Sequence, residues 1–184
     1  MRTKTLALCL TLLAIAAATA SAQMGSGSSA NPISQAMKAG WDGAKQNIKE
    51  SADVMPEATY GFKPVDSVRT FGQILAHIAG ANYVFCAAAK GEKPPHAEDE
   101  FEKSAKTKAD IVKALGDSLG YCDAVYAGLD DKKAGELIDM PFGMGRSPRA
   151  GALMGNTGHL QEHYGNLVAY FRIKGIVPPS SRRQ

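Results

Sequence analysis

Apolar residues recur at helical intervals through four long stretches of this chain, and between them no run is long enough to alternate as a useful strand. Ile33, Met37, Trp41, Ala44 and Ile48 predict a first helix from Asn31 to about Ala52, with Asn31 as its cap and Pro32 tolerated in the first turn. Phe71, Ile74, Ile78, Ala81 and Phe85 predict a second from near Thr70 to about Ala89. His77 lies at the edge of that stripe, and Lys90-Gly91 supplies a cation and a glycine stop. Ile111, Leu115, Leu119, Cys122 and Val125 or Tyr126 mark a third helix, capped by Thr107 or Ser104 and running to about Leu129. The fourth spans roughly Pro148 to Lys174 and closes at Gly175 before Pro178-Pro179. Such elements must bury their stripes against one another, so the expected fold is an all-α four-helix bundle, with Trp41 in its core. The first-to-second and third-to-fourth connections are long for antiparallel neighbours, which predicts crossover connections.

The segments between the helices are read from their breakers. Met55-Pro-Glu-Ala-Thr-Tyr-Gly-Phe-Lys-Pro64, rich in aromatics, predicts an ordered connection packed across the bundle. Gly91 to Glu102 is charged and holds Pro94-Pro95, so it reads as a surface loop containing His96. Asp130 to Arg146 is irregular, with room for a short extended piece.

Ahead of the bundle, Met-Arg-Thr-Lys, the apolar Leu6 to Ala18 and the small residues Ala20-Ser21-Ala22 have the three regions of a secretory signal peptide. The expected organisation is a leader over 1–22, a flexible tether over 23–30, a bundle domain over 31–179 and a tail over 180–184, in a protein exported to the periplasm or beyond. The apolar run is shorter than the ~20 residues of a spanning helix, and no later segment reads as a span, so no stable membrane anchor is expected. Loss of Arg2 and Lys4 with the leader lowers the net charge from +3 to +1. That balance argues against nucleic acid as a partner, since phosphate binding calls for a concentrated basic face. Cys86 and Cys122 remain after cleavage; each sits in an apolar helical stretch, and the preferred reading is two free thiols packed as small hydrophobes, with a disulfide as the alternative.

Chemistry concentrates in Gly158-His-Leu-Gln-Glu-His-Tyr-Gly165. A four-residue gap puts His159 and His163 about 40° apart on a helix, in a strip shared with Ala152, Asn156, Leu167 and Tyr170, while Gln161, Gly165 and Arg172 face the other way. Two imidazoles on successive turns can share one cation, and interior histidines without a partner would have to shed their charge and find hydrogen bonds. Zinc-protease chemistry is excluded, because Leu160 stands where that motif carries glutamate. Glu162 diverges from the pair and reads as a surface acid, with the orienting of a metal ligand as the alternative. A third ligand must come from His77 or His96, the other two histidines of the chain.

Taken together, Ser67-Val-Arg-Thr-Phe-Gly-Gln-Ile-Leu-Ala-His-Ile-Ala79, Asn82-Tyr83, and Gly158 through Arg172 with Gly175-Ile-Val-Pro-Pro179 resemble the DinB-like family, also described as DinB and YfiT-like metalloenzymes. The resemblance covers most of the mature chain. It implies a metal triad of one histidine on the second helix and two, four apart, on the last: His77, His159 and His163. His96 matches nothing in that triad and stays a loop residue.

Three protein ligands leave a coordination position open, the arrangement of reactive rather than purely structural sites. The expected cofactor is a divalent ion, with zinc, nickel, iron and manganese all compatible with imidazole ligands. Relatives of the family include transferases and isomerases dependent on low-molecular-weight thiols. Such thiols are held mainly inside cells, so an exported member fits a metal-dependent hydrolase better than a thiol transferase. The competing reading is a non-catalytic metal-binding or interaction module, because no separate acid, base or nucleophile joins the triad by spacing. Asn156, Asn166, Tyr83 and Tyr170 are the expected lining residues, a small molecule the expected substrate, and a homodimer a further possible state.

Overall fold

The computed structural model describes residues 30–182. The predicted leader, all of the tether but Ala30, and residues 183–184 lie outside the described residues. In chain order the elements are α1 (Pro32–Val54), α2 (Phe71–Lys90), α3 (Glu100–Ser104), α4 (Lys108–Ala127), α5 (Asp131–Ala134), β1 (Leu137–Asp139), β2 (Arg146–Pro148) and α6 (Arg149–Ile173). The four long helices are those read from periodicity, and the fold is an all-α bundle. Two differences lie in the connections. Glu100–Ser104 is a helical turn at the end of the expected surface loop, and the extended piece is an antiparallel hairpin in which Ile138 pairs with Ser147.

Helix starts follow from side chains that satisfy orphan N–H groups. Thr70 and Gln73 form a reciprocal capping box on α2, and Thr107 with Asp110 does the same on α4, so Thr107 rather than Ser104 is the cap. The first turn of α1 is held from far along the chain: Asp131 accepts from the backbone N–H of Ile33 and of Ser34 and from the Ser34 hydroxyl. At the other end of α2, Gly91 adopts φ 75°, the left-handed turn that glycine takes without penalty.

Trp41 stacks on Tyr126 at 4.6 Å in the core, and Tyr126 donates to the Leu153 carbonyl, tying α1, α4 and α6 together. The 55–70 connection packs across the bundle as expected. Met55 and Tyr60 are buried, Phe62 meets Tyr170 edge-on at 5.8 Å, and the Phe62 and Tyr60 carbonyls accept from the N–H groups of Phe71 and Gly72. Those bonds fix the approach of the chain into α2, and with it the position of Arg69.

Two expectations are corrected. By length and composition α2 is apolar enough to cross a membrane, but 83% of its most apolar window is buried inside the bundle, so that apolarity serves the core. And Cys86 and Cys122 are bonded to each other, with Cα atoms 5.5 Å apart. Each was read correctly as inward on its own helix. What periodicity did not report is that the two inward faces oppose each other, which brings the sulfurs together between α2 and α4. The Asn156 amide lies 3.6 Å from both sulfurs, with every one of these side chains fully buried.

Candidate metal centre

His77 sits in the second turn of α2, behind the Thr70 cap, while His159 and His163 occupy successive turns of α6. Their rings converge. The His159 Nε2 atom lies 3.1 Å from His77 Nε2 and 3.0 Å from His163 Nε2, and ligand atoms of all three fall within 4.8 Å of one another. His77 and His163 are buried and His159 partly so. The predicted strip holds as well: Ala152, Asn156, Leu167 and Tyr170 are buried, while Gln161, Gly165, Arg172 and Glu162 are exposed.

The sequence did not reveal what stands behind His77. After Gly91 the chain doubles back as a strap over α2, and α3 presents Glu102, whose Oε1 is 3.0 Å from His77 Nδ1. The same carboxylate accepts from Arg69 Nε at 2.9 Å and Nη2 at 3.3 Å. A carboxylate only accepts, so the His77 proton belongs on Nδ1, and Nε2 turns a bare lone pair toward the other two histidines. The strap reaches this position because α2 carries Gly80 one turn beyond His77: a Cβ there would come within 1.8 Å of the Glu98 carbonyl oxygen. Only a residue without a side chain admits that backbone approach.

This donor set fits a cation better than it fits itself. A ring nitrogen carries either a proton or a lone pair, so His159 Nε2 can bond only one of the two Nε2 atoms beside it, and His159 Nδ1 is buried without a hydrogen-bond partner. Ligands about 2.0–2.1 Å from one ion stand about 3.3 Å apart in a tetrahedral site, close to the 3.1 and 3.0 Å between the Nε2 atoms. For His163, Asn166 Nδ2 lies 3.4 Å from Nδ1; an Nε2 ligand needs the Asn166 amide turned so that its oxygen accepts from Nδ1. Burial, then the charge of neighbouring imidazoles, holds His159 down to about 3 and His163 to about 4, so both rings are neutral near pH 7, the form that ligates metal.

A cleft of about 820 Å³ opens beside His163, with Arg69, Gln73, Glu162, Asn166 and Tyr170 in its wall. On the other side the His159 ring faces Phe85 at 5.9 Å, which in turn meets Phe142 of the hairpin tip at 5.3 Å. Of the four expected lining residues, Asn166 and Tyr170 line this cleft. Asn156 instead lies against the disulfide, and Tyr83 packs against His96, Phe101 and Tyr121. His96 binds Glu100 at 2.8 Å in that aromatic cluster and takes no part in the triad.

No curated protein sequence matches the chain. Among solved structures, a DinB-like protein from Bacillus cereus ATCC 10987 superposes with a TM-score of 0.66 at 17% identity, covering 79% of this chain and 95% of that one. A DinB-like protein from Bacillus subtilis gives 0.59 at 18% identity, covering 76% and 92%. A mycothiol-dependent maleylpyruvate isomerase gives 0.61 at 14% identity over 73% of this chain, which spans 60% of that enzyme. At these identities the likeness establishes the fold. The sequence profile of the DinB superfamily matches residues 41–167, a stretch that runs from Trp41 in the core of α1 through all three converging histidines, and the chain belongs to that superfamily.

Proposed function

We propose that His77, His159 and His163 hold one divalent ion, and that the protein is an exported metal-dependent enzyme, a hydrolase or a thiol transferase, acting on a small molecule. The reading rests on one observation above all: three imidazoles from two helices converge on a common point with no hydrogen-bonding scheme that satisfies them together. When bound, a divalent ion supplies Lewis acidity to water, a thiolate or a carbonyl oxygen. The protein's own residues do the rest. Glu102 sets the tautomer and orientation of His77, Asn166 stands against His163, and the cleft offers a small molecule access from the His163 side. That access supports an enzyme over a closed, non-catalytic metal module. Export is supported by the leader-like N-terminus and by the Cys86–Cys122 bond, which persists in oxidising compartments. Of the two reactions, hydrolysis suits export better, since it draws on no thiol held inside cells.

Elemental analysis of the purified mature protein tests the core of this reading. The expected content is close to one divalent ion per chain, lost in His159→Ala and in His163→Ala and retained in His96→Ala. Metal content unchanged in the triad variants overturns the assignment.

A further inference from the structure

Arg69 stands at the junction of the cleft and the histidine cluster, and its geometry is that of an anion receptor. Its guanidinium is fixed by two bonds to Glu102, through Nε and Nη2; among the described residues nothing accepts from Nη1. The backbone beneath it is fixed too, since Tyr170 donates to the Arg69 carbonyl at 2.6 Å, immediately before the Thr70 cap. The side chain remains 44% exposed, and it lines the cleft with His163. A fork already held in place loses little freedom when it takes a second carboxylate.

From this arrangement we infer that the cleft binds a small organic anion, with a carboxylate on the outer edge of the Arg69 guanidinium and a second oxygen donor directed at the metal held by the triad. The inference rests on the metal reading above and adds the class of substrate. The acidic side chains in the wall, Asp66 and Glu162, and Glu102 behind Arg69 are compatible with an anion. Asp66 is fully exposed and paired with Lys63 at 3.0 Å, Glu162 is exposed, and Glu102 divides its charge between Arg69 and the His77 ring. Other wall residues, Gln73 and Asn166 among them, carry amides that can donate to an oxyanion.

The test uses zinc-loaded mature protein and two probes of similar length, succinate and butyrate, followed by calorimetry. Both offer one carboxylate to zinc, and succinate alone has a second for Arg69. Wild-type protein should bind succinate at least tenfold more tightly than butyrate, and Arg69→Met should reduce that preference to less than about threefold while zinc content stays at one per chain. If Arg69→Met also loses zinc, the comparison moves to Arg69→Lys, which keeps a cation for Glu102 but not the fork, and the preference should fall at least threefold. Equal binding of the two probes by the wild type, binding of neither, or an unchanged preference in the Arg69 variants overturns the inference. Absence of zinc from the wild-type protein is a separate outcome, read in the metal analysis, and sinks the metal reading first.

Discussion

Gly80→Ala is the substitution in which fold and site are most directly coupled. An added Cβ would stand 1.8 Å from the Glu98 carbonyl oxygen and 2.6 Å from its carbon, so reaching an ordinary contact of 3.4 Å needs a retreat of about 1.6 Å by the strap. The obstacle is backbone, which cannot rotate aside as a side-chain end can. Two effects on stability oppose each other. Alanine in a helix interior is about 1 kcal/mol better than glycine, while overpacking of a close contact costs about 1–3 kcal/mol. The net loss is therefore no more than about 2 kcal/mol, a few degrees in melting temperature for a domain of this size. The effect on the site is larger in proportion. Glu102 lies four residues beyond Glu98, and a shift of about 1.6 Å lengthens its 3.0 Å bond to His77 Nδ1 past hydrogen-bonding range. Losing such an outer partner lowers metal affinity about 10–100-fold. Zinc affinity measured by competition with a chromogenic chelator should fall by that factor, Glu102→Gln should reproduce the fall, and the double variant should add little to either. A Gly80→Ala protein that melts lower yet binds zinc within about threefold of wild type would show that Glu102 does not govern His77.

Other perturbations separate the contributions further. In chelator-treated protein the folded-state values of about 3 for His159 and 4 for His163 lie below the unfolded value of 6.5. Protons then bind preferentially to the unfolded chain, so the contribution of these rings to stability is complete above pH 6.5 and is lost as pH falls from there toward about 4 for His163 and about 3 for His159. Denaturation at pH 7.5 and 5.5 should differ by up to about 1.4 kcal/mol per histidine, and a smaller drop in the His159→Ala/His163→Ala protein checks the cause. Removing the Cys86–Cys122 bond, which closes a sequence separation of 36, should cost about 3–4 kcal/mol by loop-closure entropy. Urea unfolding of Cys86→Ala/Cys122→Ala, followed by the fluorescence of Trp41, measures it, and an unchanged midpoint refutes it. Phe142 adopts φ 57°, where a bulky side chain is strained, so Phe142→Gly should relieve about 1 kcal/mol of backbone strain while giving up the contact with Phe85; a melting temperature lowered by several degrees would show that the ring contact dominates.

The histidine triad was legible because it depends on rules local to each helix. Residues four apart share a helical face whatever the tertiary structure, and a bundle leaves few directions for an inward face to point. Position along the neighbouring helix was the remaining unknown, and the likeness of the 67–79 stretch to a family with a histidine there supplied it. The disulfide shows where local rules stop. Cys86 and Cys122 each read as inward, but whether two inward stripes are in register depends on how α2 slides and rotates against α4, a quantity that no single helix encodes. The hairpin at 137–148 was read only as a short extended piece because strands of three residues are too brief for alternation to register.

Glu102 is the most instructive omission, since it touches a proposed ligand yet sits in a stretch whose charges, Glu98, Asp99, Glu100 and Glu102, look interchangeable in sequence. What distinguishes it is the path of the strap, and that path depends on Gly80, a residue that reads as a weakness in a helix. A glycine in the middle of an otherwise apolar helix was the one available signal that another backbone comes close. Seen this way, three glutamates of the strap divide into different duties by geometry alone. Glu100 binds His96, Glu98 approaches His77 Nδ1 only to 3.9 Å, and Glu102 completes a line from Arg69 in the cleft to Nδ1 at the back of the His77 ring. Replacing Glu98 by glutamine should therefore leave zinc affinity within about twofold of wild type, while the same change at Glu102 lowers it at least tenfold. If the two variants weaken zinc equally, the field of the acidic strap as a whole, rather than the hydrogen bond from one carboxylate, is what the metal centre uses.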